Sequence, residues 1–289
     1  MDQSRRTGYL LLVLAVFSLS LMSPAAKALP KVFGPPQILL ARSLFMFIFF
    51  GLWAWKRGAP IFGRHYPGLL WLRGVAGTAG FLLFIGALQR LTLADTILIF
   101  QAHPLFVALF GPWILKETNR PVQWLLMCIS LCGVALVVGP MGGGGMSGRL
   151  MALGCAVISG LAYSLVRLTA RRESFLTVVL SFPMASIFII APLMLFGLPG
   201  FSWHAPEPRE WLLLAAVGCC SSVGQMLLTL GLKRVPAARG TPVFNLQVVL
   251  AMIYGYLFFM ETPGTVTILG SILIVTSLIL LSRTGERRE

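Results

Sequence analysis

The chain has 289 residues, of which 57% are apolar and 11% charged, with a mean hydropathy of +0.86. Soluble domains carry roughly 25% charged residues, so a water-facing surface cannot be built here and a soluble enzyme is excluded. Abundant Leu, Ile, Val and Phe exclude disorder. What remains is a polytopic membrane protein: about 20 residues per span and short loops leave room for roughly ten helices.

In chain order the apolar runs predict spans at 8–28, 35–55, 68–88, 93–115, 122–140, 150–170, 175–197, 210–231, 236–259 and 264–282. The first follows Arg5 and Arg6 and superficially resembles a signal peptide. It exceeds an h-region and further spans follow, so it is read as a retained helix. The net charge of +14 then becomes a question of sidedness. With the N-terminus inside, 17 of the 23 Lys and Arg fall on the inner side; only Lys27, Lys31, Arg90, Arg149 and Arg209 fall outside, and Arg42 lies within a span. That is the positive-inside bias. It places both termini in the cytoplasm and removes nucleic acid as a partner. Cys128, Cys132, Cys155, Cys219 and Cys220 all lie in apolar runs and are expected to be thiols buried in the membrane, without disulfides.

Two segments repeat at an offset of 144. ALQRLTLAD at 87 answers GLKRVPAAR at 231, and LKETNRPV at 115 answers FMETPGTV at 259, so Glu117 matches Glu261. The expected fold is therefore all-α, ten transmembrane helices as two five-helix repeats: residues 1–140, a Gly-rich joint at 141–149, and residues 150–289. An odd number of spans per repeat inverts the second relative to the first. Inverted repeats are how many secondary transporters build two alternately open gates around a midplane site.

These features carry a family resemblance. Arg42 in the second span, Leu72–Gly74 opening the third, LADTILIFQAHPLF in the fourth, Glu117 and Glu261 closing the fourth and ninth, and Gly224–Gln225 in the eighth together resemble the EamA family of the drug/metabolite transporter superfamily, over nearly the whole chain. The resemblance implies a ten-helix carrier of small metabolites in the bacterial inner membrane, more often an exporter. Cargo classes in that family include amino acids, nucleoside-like compounds, riboflavin, cationic drugs and amino-acid-derived metallophores.

Polar residues inside spans are the candidate site. Arg42 lies about 9 Å deep at 1.5 Å per residue, where an arginine costs at least ~2.5–3.5 kcal/mol. It either attracts a cargo carboxylate or snorkels to the headgroups. Arg73 is explained by topology or by cargo contact, and Asp95 by the helix dipole. Gln101, His103 and Pro104 form the densest polar patch. Pro104 has no N–H for the Phe100 carbonyl, so the helix opens there; Pro242 does the same in the ninth span, where Asn245 and Gln247 answer Gln101 and His103. Gln101 and His103 are about 200° apart on a helix, so both face one cavity only if the helix distorts. Interhelical hydrogen bonding is the alternative role. Tyr163 could offer its ring, with packing the blander reading, and Gln225 is a further candidate. Glu117 and Glu261 are expected to cap turns. Gly74, Gly77 and Gly80 are expected to permit close helix packing.

Neither HExxH nor GxSxG occurs, and the three histidines are too scattered for a metal site. Gly143, Gly145 and Gly148 fit GxGxxG but follow a membrane helix, so they read as the joint between halves. No enzyme activity and no cofactor is expected. Partners are a small-molecule substrate and the lipid bilayer, with a homodimer allowed. The leading expectation is a secondary carrier exporting a small polar metabolite such as an amino acid or an opine-type metallophore. The alternatives are an uptake carrier for a riboflavin- or S-adenosylmethionine-class compound, a multidrug exporter, and, more remotely, an intramembrane enzyme or passive channel.

Overall fold

The computed structural model describes residues 3–115, 121–138, 145–170, 172–232, 243–244 and 246–285. These form helices α1 (Gln3–Lys27), α2 (Pro35–Lys56), α3 (Pro67–Leu88), α4 (Leu93–Phe100), α5 (His103–Phe110), α6 (Pro121–Val138), α7 (Met146–Thr169), α8 (Phe175–Leu195), α9 (Pro208–Leu232), α10 (Leu246–Phe259) and α11 (Thr265–Gly285), with a π turn at Gly111–Leu115. No strand occurs among the described residues. In hydrocarbon every backbone group must be satisfied within its own segment, so long apolar runs become helices.

Local chemistry sets the boundaries. Pro35 and Pro67 sit in first turns, where a missing N–H costs nothing. Thr92 caps α4 by accepting from the Asp95 N–H, and Ser174 caps α8 by accepting from Thr177 N–H. Gly58 and Gly197 follow α2 and α8 in the left-handed region, at φ 60° and 62°, which glycine alone adopts without strain.

Among the described residues, seven helical segments are long and apolar enough to cross a membrane: 6–27, 35–56, 67–88, 93–114, 146–169, 175–195 and 208–228; shorter apolar stretches lie at 124–136, 246–259 and 265–277. The protein is a multi-pass helical membrane protein. The fourth expected span is not one continuous helix. It breaks at Gln101–Ala102 into α4 and α5.

The helices pack in pairs: α1 on α9, α3 on α7, α2 on α8, α6 on α11 and α4 on α10. Lipid tails are as apolar as side chains, so association depends on close fit and not on water exclusion. A Cβ on Gly74 would meet the Ser181 carbonyl oxygen at 2.5 Å, and one on Gly77 would meet the Phe182 ring at 2.6 Å. Beside them Thr78 Oγ1 and Ser186 Oγ share a buried hydrogen bond of 2.8 Å. Gly80 is looser, with Ser159 Oγ at 3.4 Å, so the packing role falls on the first two glycines of the run. All five cysteines are free: Cys155 is buried in the protein, while Cys128, Cys132 and Cys219 are exposed on helix surfaces. An apolar run alone does not say which face looks inward.

Candidate functional site

A cavity of about 570 Å³ lies between α1, α2, α3, α4, α5, α7, α8, α9 and α10. Arg42, Arg73, Gln101, His103, Tyr163, Gln225 and Gln247 all line it. Of the eight candidate site residues the remaining one, Asn245, falls outside the described residues, and so do Glu117, Pro242 and Gly143 among the other residues singled out from the sequence.

The break in the fourth span brings Gln101 and His103 to the same space. Pro104 leaves the Phe100 carbonyl without its helical donor, and His103 Nδ1 approaches that oxygen at 3.0 Å. Because a carbonyl only accepts, Nδ1 carries the proton in this contact. In the neutral ring Nε2 is then left as an acceptor. The imidazole stacks on Phe100, with centroids 4.8 Å apart, and lies 4.9 Å from the Tyr163 ring. Gln101 Nε2 donates to the Phe244 carbonyl at 2.7 Å, joining the break in one segment to the start of α10. Non-helical backbone at membrane depth survives only where protein or a cavity covers it, and both conditions hold here.

The basic wall is built differently. Arg42 Nε donates to Ser221 Oγ at 2.9 Å, and its Cζ sits 4.3 Å from the Phe81 ring centroid and 4.9 Å from that of Phe182. Arg73 approaches the same Phe182 ring at 5.6 Å. Its Nε and Nη1 are buried with no hydrogen-bond partner among the described residues. Arg167 also lines the cavity, and no Asp or Glu is among the described lining residues. Guanidinium faces stack on aromatic rings, which offsets part of the desolvation a buried cation suffers.

Several site residues carried no sequence signal. Phe182 is one phenylalanine among 20, and Ser221 one serine in an apolar helix. Arg167 counted only toward charge sidedness, although its position near the end of α7 made it a neighbour of Tyr163 on the i, i+4 face.

One end of the bundle is tied by ionic contacts. Lys27 pairs with Glu261 and donates to the Leu91 carbonyl at 2.7 Å. The other Glu261 oxygen accepts the Leu93 N–H at 2.7 Å, at the positive end of α4. Thr267 Oγ1 donates to Asp95 Oδ1 at 2.5 Å. Glu261 therefore does more than cap its own turn: it links α1, α4 and the end of α10. Asp95 likewise ties α4 to α11, beyond any effect on the helix dipole. At the opposite end Glu173 accepts N–H bonds from His65 and Tyr66 at 2.6 and 2.9 Å. Thr177 Oγ1 donates to the Pro60 carbonyl at 2.6 Å.

The model of the EamA-like transporter family matches residues 6–139 and 146–283. The chain belongs to the EamA-like transporter family. Among EamA-related proteins, the pseudopaline exporter CntI of Pseudomonas aeruginosa is 30% identical over 97% of this chain and 98% of its own length. A riboflavin transporter of Rhizobium johnstonii is 26% identical over 98% of this chain and 93% of its own. A crystal structure of a protein 22% identical to this chain superposes with a TM-score of 0.65, covering 97% of this chain and 99% of the other, which shows a shared fold. The EamA assignment makes the cavity the natural place to look for a transported molecule.

Proposed function

We propose that the protein is a secondary-active carrier that exports a small polar metabolite, an amino acid or amino-acid-derived compound bearing a carboxylate, by alternating access. The observation that carries this reading is the gathering of Arg42, Arg73, Gln101, His103, Tyr163, Gln225 and Gln247 around one cavity at the break between α4 and α5. Broken helices beside polar side chains are how carriers assemble midplane sites. The likeness to a pseudopaline exporter supports export as the direction.

In this reading the chain is ten spans in two inverted repeats, with both termini cytoplasmic in a bacterial inner membrane. The family model's two matched stretches and the 144-residue offset support the repeat. The pairings support it too: α1 on α9 corresponds to α7 on α3 when the halves are exchanged. The positive-inside count puts Lys27, Glu261 and Asp95 at the outer face, so the tied end is the periplasmic gate, held shut. Glu173 belongs to the cytoplasmic face.

Charge argues against a cationic-drug exporter, because arginines without a carboxylate among the described lining residues repel cations. The likeness to a riboflavin transporter and the ring-lined walls favour, as a second reading, uptake of a planar vitamin-like compound.

The test is mass spectrometry of medium and cytosol from the native host with and without the gene. A carboxylated compound that accumulates inside the deletion strain and disappears from its medium is the expected result, reversed by the wild-type gene and not by Arg42→Ala. A medium component left unconsumed instead establishes uptake, and an unchanged metabolite profile overturns the carrier reading.

A further inference from the structure

We propose that the seam between α2 and α8 is the fixed axis of the carrier, closed at both membrane faces in every state, so that cargo enters and leaves along other seams. This rests on the carrier reading above and adds to it which helices stay still. In an inverted-repeat carrier the two access states arise when the halves exchange conformations around the site. A contact made in one state therefore reappears in the other between the counterpart residues. Where a contact and its counterpart are both present in one structure, the exchange leaves both in place.

Three pairs of contacts along α2 and α8 meet that condition. Gln37 and Thr177 are each the third residue of their helix, and both are buried. Gln37 grips the backbone of His204 with both ends of its amide: Nε2 donates to the carbonyl at 2.6 Å, and Oε1 accepts the N–H at 3.1 Å. Thr177 Oγ1 donates to the Pro60 carbonyl at 2.6 Å. Pro60 and His204 lie in the loops that follow α2 and α8, separated by the same offset of 144 as the repeat. Each helix thus begins by strapping down the loop that leaves the other, one strap at each end of the bundle.

Deeper in, Phe45 and Ala185 are each the eleventh residue of their helix. A Cβ on Gly218 would meet Phe45 Cβ at 2.5 Å, and one on Gly74, its counterpart at the same offset, would meet Ala185 Cβ at 2.5 Å. Between these levels Arg42 and Phe182 are each the eighth residue. Arg42 bonds to Ser221, and the Phe182 ring fills the space beside Gly77, the counterpart of Ser221. Arg42 and Phe182 also meet each other, at 4.9 Å from Cζ to ring centroid. A contact between a residue and its own counterpart maps onto itself when the halves exchange. Arg42 therefore keeps its place beside the cavity in both states, and Phe182 is the residue that positions it.

The chemistry of the straps agrees. Parting either one leaves buried donors and acceptors bare, the costly outcome for a hydrogen bond. The Lys27–Glu261 pair is partly exposed, so water replaces its partners when it opens.

The experiment staples the full chain in cells of the deletion strain, in a background with the native cysteines replaced. Gln37→Cys with His204→Cys covers one strap, Thr177→Cys with Pro60→Cys the other, and Lys27→Cys with Glu261→Cys the gate. Each pair is bridged by a short bis-methanethiosulfonate reagent, reversible by reductant, with closure confirmed by intact mass. The readout is release into the medium of the compounds that the wild-type gene restores. With either strap stapled, release should stay within about twofold of the same cells after reduction, whereas the gate staple should cut it about tenfold, since alternating access requires one gate to part. Where one double variant fails to insert, the strap at the other end decides. Release halted by either strap staple, or failure of both strap pairs to bridge, overturns the proposal. Release that survives the gate staple as well overturns it too, because no seam is then singled out. A medium that does not respond to the gene at all removes the carrier reading itself.

Discussion

His103 Nδ1 lies 3.0 Å from the Phe100 carbonyl oxygen, the acceptor that Pro104 leaves without its helical N–H. The side chain of one residue thus repairs the backbone defect made by the next. Leaving that buried acceptor bare would cost about 1–3 kcal/mol, so His103→Ala should lower the thermal midpoint of the detergent-solubilised protein by several degrees. Pro104→Ala restores an N–H at position 104, so the same His103→Ala change should cost far less in that background. Equal costs in both backgrounds would show that the imidazole contact does not carry the repair. A straightened helix also turns Gln101 and His103 to different faces. Pro104→Ala should therefore depress transport even where it stabilises the fold.

The Lys27–Glu261 pair should hold the outer gate. Its side chains are 14% and 19% exposed, between the surface and fully buried regimes, so a gating contribution of about 1–2 kcal/mol is expected. That corresponds to a fivefold to thirtyfold shift in the ratio of closed to open states. With the native cysteines replaced, a Ser23→Cys reporter on the cavity wall should react faster with a membrane-impermeant thiol reagent added outside cells when Glu261→Gln is also present. An unchanged labelling rate would place the gate elsewhere.

Glu173 links pH to stability at the opposite end. Burial works to raise its pKa, but backbone N–H groups of Tyr66, His65 and Arg64, with the nearby His65 charge, outweigh it and hold the carboxyl below its ordinary value. A group whose pKa is depressed by folding stabilises the fold above its unfolded value, about 4.3 for a glutamate, and loses that contribution as pH falls through the folded value. Wild type should thus be more heat-stable than Glu173→Gln at pH 7. The gap should begin to close below about pH 4.3 and vanish at lower pH. A gap that persists unchanged down to pH 2 would mean the carboxylate charge is not what matters.

Gly74 is a packing position with no room to spare. A Cβ there would lie 2.5 Å from the Ser181 carbonyl oxygen, backbone that cannot swing aside, so α3 and α8 must part. Gly74→Val should abolish the monodisperse peak in size-exclusion chromatography. Gly68→Ala, with nothing within 4 Å of its Cβ, should leave it intact.

The sequence by itself determined the helical class, the run of apolar spans and the weak point at Pro104. Each follows from a local rule: hydrocarbon demands about 20 apolar residues per helix, and proline removes one donor. It also picked out the polar residues worth watching, since an arginine or histidine in a membrane span needs a reason to be there. Only the tertiary structure decided what those residues meet. The hydrophobic pattern of a membrane helix barely distinguishes lipid from protein, because both neighbours are apolar. That is why the sequence did not say which cysteines turn inward: Cys155 is buried in the protein, while Cys128, Cys132 and Cys219 are exposed. For the same reason nothing in the sequence paired Arg42 with Ser221, 179 residues away, or Lys27 with Glu261. Gln101 and His103 share a cavity because the helix ends between them, at the weak point that Pro104 makes. The joint approach of Arg42 and Arg73 to Phe182 belongs wholly to the packing of α2, α3 and α8, where three separate helices bring two cations to one ring.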